Sequence, residues 1–215
     1  MRKLLATAAI TAVTAFAAPA SAAVYVNFLP GVQVSDVAGF TIINKFDNAD
    51  GITGTGAGFI IQNGTNSNGA SIPLADSIGT NYLSVLGGGT AELDLPWGTK
   101  AFAFEWGSLD TYNTLTISML PNGTVVLVPG EDYLNASPGN GNQLNPNTNG
   151  TVVVYGDAGE LFTKLHLASA TNSFEIDNLA IQSVPEAGTW AMMIAGLGAV
   201  GFSLRSRKNV SVRFA

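Results

Sequence analysis

The chain has 215 residues, of which 47% are hydrophobic and only 11% charged, against about 25% charged in an average soluble domain. Residues 23–184 carry three lysines (Lys45, Lys100, Lys164) against fourteen acidic residues, a formal charge of −11 that repels phosphate backbones. This excludes a disordered acidic tail, a coiled coil and a nucleic-acid partner, and the absence of cysteine excludes a disulfide-stapled scaffold.

Residues 1–22 are predicted to be a signal peptide. Arg2 and Lys3 form a basic start, Leu4 to Phe16 an apolar stretch, and Ala20-Ser21-Ala22 an A-x-A cleavage site. Ala20 and Ala22 are the small side chains that a signal peptidase requires, so the mature chain is expected to begin at Ala23.

From residue 23 to 183 one antiparallel β-sandwich domain of jelly-roll type is expected. Helical periodicity is lacking, and glycine or asparagine clusters interrupt the chain every 8–15 residues. Eleven strands are predicted: 24–29, 40–43, 59–61, 82–86, 91–95, 100–106, 114–119, 125–128, 152–155, 161–167 and 174–181. In 100–106 alternation sets Phe102, Phe104 and Trp106 against Ala101, Ala103 and Glu105. In 114–119 it sets Leu115, Ile117 and Met119 inward. Asn63-Gly64, Asn122-Gly123 and Asn149-Gly150 suit turns with positive φ. The polar segment 135–149 is expected to be an unstructured surface loop. Ser108 and Asp110 are expected to make local turn bonds at a corner between two strands.

The chain offers little for catalysis. Its one histidine, His166, lies on the outward face of a strand, and no G-x-S-x-G, P-loop or H-E-x-x-H occurs. Glu175 and Asp177 are two apart on one strand face, as in E-x-D-x-x-E glucanases, but Ala180 stands where the second Glu would be. Glu92-Leu93-Asp94 fails likewise, with Trp97 at that place. No enzyme is expected. Sugar binding would use exposed aromatic rings, for which Trp97, Tyr112 and Tyr133 are candidates, while Trp106 shares phase with core residues. Ice binding would need a repeated Thr-x-Thr array, and only Thr114-Leu115-Thr116 fits.

Ala187 to Leu204 is eighteen residues without a charge, followed by Arg205, Arg207 and Lys208. At about 1.5 Å per residue this is about 27 Å, against a bilayer core of roughly 30 Å. A transmembrane helix over 187–204 is predicted, with Trp190 at one interface and the basic cluster on the cytoplasmic side. Residues 209–215 form a short tail.

Pro185-Glu186, the Trp190-Ala191-Met192-Met193-Ile194 run and the basic cluster together resemble the PEP-CTERM sorting signal, over residues 184–208. Ala187 stands where that family usually has Pro. The resemblance implies an exported bacterial protein, anchored in the inner membrane as a precursor and cut near Pro185-Glu186 by an exosortase. The product would pass to the cell surface or extracellular matrix. The same tail occurs in some ice-binding proteins. Residues 104–115 and 174–179 are similar to segments of other exosortase-targeted surface proteins. Phe174 to Leu179 also resembles the last strand of carbohydrate-binding jelly rolls, which implies Asp177 as a ligand of a structural calcium. The expected function is a non-catalytic surface or matrix protein that binds exopolysaccharide; a glycan-acting hydrolase is the alternative, and ice binding ranks below it.

Overall fold

The computed structural model describes residues 24–121, 123–127, 139–184 and 187–205, apart from the side chains of Ala187 and Thr189. The predicted signal peptide with Ala20 and Ala22, and also Asn122, Tyr133, Pro185, Glu186, Arg207, Lys208 and the 209–215 tail, lie outside the described residues.

Among the described residues, twelve strands form two antiparallel sheets. The larger contains β1 (Val24–Pro30), β2 (Thr41–Asn44), β4 (Phe59–Asn63), β5 (Asn81–Val85), β7 (Thr99–Gly107), β10 (Gly150–Gly156) and β12 (Phe174–Ser183). Its order is β1-β10-β7-β12-β5-β4, with β2 also pairing β12. The smaller runs β3-β6-β11-β8-β9, where β3 is Ile52–Thr53, β6 Gly89–Asp94, β8 Asn113–Leu120, β9 Gly123–Leu127 and β11 Leu161–Ser169. The expected two-sheet antiparallel sandwich is what the chain forms. Eleven strands correspond to the sequence expectation, and β3 is additional: two residues are too short to show alternation.

The alternation explains the core. Phe102, Phe104 and Trp106 point between the sheets, where they meet Leu115, Ile117, Phe162, Leu165 and Leu167. Trp106 stacks on Phe174, ring centroids 4.1 Å apart. The opposite face of β7 and its neighbours is buried as well. Ala103, Val153 and Ala180 lie under Val34, with Leu29, Val37, Phe40 and Ile42 packed around them. The 64–80 connection between β4 and β5 forms a strap that buries Ala70, Ile72 and Leu74. The central part of the larger sheet is therefore covered on both faces, which is how Glu105 comes to be fully buried.

β12 changes partner halfway. Phe174 to Ile176 pair with β5, whereas Leu179 to Ile181 pair with β2. Between them the register against β7 shifts by one residue, with Asp177 opposite Glu105 but Ala180 opposite Ala103. This is a β-bulge, with Asn178 at φ +51°. It carries Phe174 and Ile176 on one side, and Leu179 and Ile181 on the other, onto the same core face.

After β12 comes α1, Ala187–Arg205. Its apolar side chains, among them Met192, Ile194, Leu197 and Phe202, are exposed. Over the described residues, no helix is long and apolar enough to cross a membrane.

Candidate functional site

Two segments singled out in the sequence meet at one end of the sandwich. β7 ends at Gly107 and opens a corner, 108–112, before β8. β12 begins beside it, with Glu175 opposite Gly107. Ser108 takes φ +42°, a conformation that turns the chain sharply out of the strand. Its bonds are long-range rather than local, which corrects the expectation for Ser108, whereas Asp110 bonds locally, to Tyr112. The Ser108 N–H donates to Asn149 Oδ1 at 2.7 Å and its hydroxyl to Glu175 Oε2 at 3.1 Å.

The segment before β10 is pinned as well. Asn149 Nδ2 donates to the carbonyls of Asn142 (3.2 Å) and Asn145 (2.9 Å), and Thr148 Oγ1 to that of Asn142 (2.6 Å). Thr148 and Asn149 are buried. The described part of the expected free loop is thus a folded wall, because its asparagine amides satisfy its own carbonyls.

These pieces enclose a polar cleft of about 180 Å³. The strap contributes Asn66, Ser67 and Gly69, and the corner Ser108, Asp110 and Tyr112. Gly141 and Gln143 form the third side, and Asn172, Ser173 and Glu175 the fourth. Gly141 sits at φ +64°, and a Cβ there would lie 2.4 Å from Asp110 Oδ1. Only glycine allows the backbone to approach the carboxylate so closely.

Two carboxyls line the cleft, and burial raises both above the usual range. Glu175 is pushed up to about 7, although the Ser173 hydroxyl, the Ala70 N–H (3.0 Å) and the Ser108 hydroxyl all donate to it. Asp110 is raised by burial and partly offset by a hydrogen bond with Tyr112. Burial also raises the Tyr112 phenol, with the carboxylates of Asp110 and Glu175 adding to it. Tyr112 Oη donates to the Asn172 carbonyl at 3.2 Å.

Asp177 does not line this cleft. It lies under the strap, directly opposite Glu105. Ser77 Oγ lies within hydrogen-bonding range of Glu105 Oε2 and 2.7 Å from Asp177 Oδ2, and Thr80 Oγ1 donates to the same Asp177 oxygen at 3.1 Å. Asp177 Oδ1 accepts the Asn178 N–H at 2.7 Å, and Glu105 Oε1 accepts the Val34 N–H at 2.9 Å. Burial pushes Asp177 up to about 6 and raises Glu105. Both oxygens of Asp177 therefore hold the bulge and the strap. A calcium takes six to eight oxygens, and among the described residues no group of three or more acidic or histidine side chains is placed to hold a metal. The residues around Asp177 do not fit the implied calcium.

The remaining candidates separate. Tyr112 is in the cleft, while Trp97 lies at the start of β7. The eight residue steps of β7 at about 3.3 Å put roughly 26 Å between the two ends. Glu92 and Asp94 sit on the outer surface, where Lys164 Nζ contacts them at 3.0 and 3.5 Å. His166 Nε2 is 3.9 Å from Glu92. Thr114 and Thr116 on β8 face Ala168 and His166 across β11, and Thr116 faces Val126 on β9, so no threonine ladder forms. The role of Asn149 and of the strap residues went unread in the sequence; the one signal was the density of asparagine and serine in 63–71 and 139–149.

No curated protein matches the chain in sequence. Several solved structures are similar over part of it. The exo-beta-1,3-galactanase of Phanerochaete chrysosporium, with galactose, is 16% identical over 68% of this chain and 30% of its own (TM-score 0.38). The catalytic unit of the GH87 alpha-1,3-glucanase of Streptomyces thermodiastaticus is 16% identical over 69% and 26% (TM-score 0.36). The family 11 carbohydrate-binding module of the Clostridium thermocellum cellulase Lic26A-Cel5E is 14% identical over 70% and 98% (TM-score 0.30). The chain spans less than a third of the two enzymes. Residues 183–208 match the PEP-CTERM protein-sorting motif, so this chain carries at its C-terminal end the signal of exported proteins targeted to an exosortase.

Proposed function

We propose that this is a non-catalytic exported protein whose sandwich binds a carbohydrate in the polar cleft. Residues 1–22 direct export, and signal peptidase removes them. The α1 segment seats in the inner membrane, since its exposed apolar side chains need apolar cover. An exosortase then cuts near Pro185-Glu186 and releases the sandwich to the surface or matrix.

The observation that supports sugar binding is the lining of the cleft. Amides, hydroxyls and one phenol converge with two carboxylates at the end of the sandwich opposite the tail. Such groups match the paired donors and acceptors of sugar hydroxyls. Against catalysis, Glu175 is 2% exposed and already accepts three hydrogen bonds. Asp177, its partner in a two-carboxylate mechanism, lies outside the cleft.

A glycan array with residues 23–184 tests this. Binding that weakens at least tenfold in Asp110→Asn and Tyr112→Phe is the expected result. Absence of binding, together with glucan turnover that is lost in Glu175→Gln, would replace it with the hydrolase.

A further inference from the structure

The end of the sandwich from which the tail emerges is built differently from the cleft end. The three exposed aromatic side chains among its described residues all lie there: Trp97 (75% exposed), Tyr25 (57%) and Tyr155 (39%). Tyr25 and Tyr155 are direct cross-strand partners on β1 and β10. Trp97 occupies the tight turn between β6 and β7, where Thr99 N–H and Oγ1 both donate to the Pro96 carbonyl at 3.3 and 2.7 Å. The exposed ring is therefore carried on a fixed support.

The turn is tied to the exit of the chain. Val184 N–H donates to the Gly98 carbonyl at 2.9 Å. Gly98, at φ +84°, lies beside Val184, where a Cβ would be in van der Waals contact with Val184 Cγ2 at 3.4 Å. From Val184 to the first residue of α1, Ala187, there are three residue steps, about 10 Å even when fully extended. The polar headgroup layer on each side of a bilayer is itself about 5–8 Å thick. If α1 is seated in the membrane, the Trp97 turn is held within about 10 Å of the start of α1, close to the lipid surface.

We infer that the Trp97 turn, with Tyr25 and Tyr155 at the same end, is a membrane-contact surface that holds the tail end of the precursor's sandwich on the lipid headgroup layer. The inference rests on the membrane seating of α1 proposed above. Indole and phenol rings suit this layer because each joins an apolar body to a polar tip. Charge does not drive the contact. Lys100 is on this end, but Asp157 and Glu160 line the same groove, and Asp157 is turned toward Tyr25 by a hydrogen bond. The consequence is orientation: the end of β12 stays at the bilayer surface, and the cleft points away from it.

The chain has three tryptophans, and Trp106 is fully buried; its emission is out of reach of a lipid-borne quencher, so quenching reads the other two singly. The full chain is reconstituted in phosphatidylcholine vesicles containing lipid brominated near the headgroup. In Trp190→Phe, the emission should lose intensity to the brominated lipid, and the part lost should be the contribution of Trp97. That loss should vanish when Trp97→Phe is added. If Trp97 is not quenched, while Trp190 is quenched in Trp97→Phe, the helix is seated and the inference is overturned. If Trp190 is unquenched too, the membrane seating of α1 fails and takes the inference with it.

Discussion

Ser77 has one hydroxyl proton and two carboxylates within reach, Glu105 and Asp177. One contact is the serine donating; the other requires a carboxyl proton donated to Ser77 Oγ. Like charges directly opposite each other on a strand pair repel, so a shared proton is the arrangement that burial favours. Asp76 adds a further negative charge beside Glu105. Glu175 tells the same story at the cleft. Its carboxyl moves from the ordinary 4.5 to about 7 on folding, so the folded state holds a proton that the unfolded chain has released. Its contribution is complete below pH 4.5 and is lost as pH rises through about 7, roughly 3 kcal/mol at this degree of burial. Asp177, raised from 3.8 to about 6, acts in the same direction. The melting temperature of residues 23–184 should therefore fall between pH 4.5 and pH 8, and Glu175→Gln should flatten that slope. A melting temperature that rises over this range would contradict the burial.

The bulge in β12 decides the character of the larger sheet. Without the extra residue, Leu179 and Ile181 would face the strap side, and the strand could not serve β5 and β2 in turn. Asn178 takes the positive φ that the bulge needs, and its amide donates to Ser77 Oγ at 3.2 Å and Glu105 Oε2 at 3.3 Å. Glycine relieves the backbone but loses the amide, whereas a β-branched residue suffers on both counts. Asn178→Gly should cost about 1–2 kcal/mol and Asn178→Val clearly more, by urea unfolding. Equal losses would show that the amide alone matters.

At the scale of the molecule, β7 and β12 run the length of the sandwich and separate two ends. The cleft is formed where β7 finishes and β12 starts, and the tail leaves where β12 finishes. β1 begins at the tail end too, since Val24 pairs with Gly156 while Pro30 pairs with Gly150. The start of β1 and the exit toward the sorting motif thus both lie away from the cleft. No described residue of α1 belongs to the buried core. Residues 23–184 alone should give a β-type circular dichroism spectrum and melt cooperatively. A helix-rich spectrum or a gradual transition would show that the core needs its tail.

What the sequence by itself determined is whatever depends on near neighbours. Alternation of apolar side chains located eleven strands, because the pleat sends successive residues to opposite faces. The charge-free stretch with its basic end marked the sorting signal. Pairings between distant residues were decided only by the tertiary structure. Ala70 reaches Glu175 across 105 residues, Ser77 reaches Asp177 across 100, and Ser108 reaches Glu175 across 67. Register brings these groups together, and no local pattern records it. Whether a carboxyl is a surface group like Glu92 or a buried one held above its ordinary range like Glu105 depends on what covers the strand. That cover comes from the strap and from Val34, which are remote in the chain and close in space.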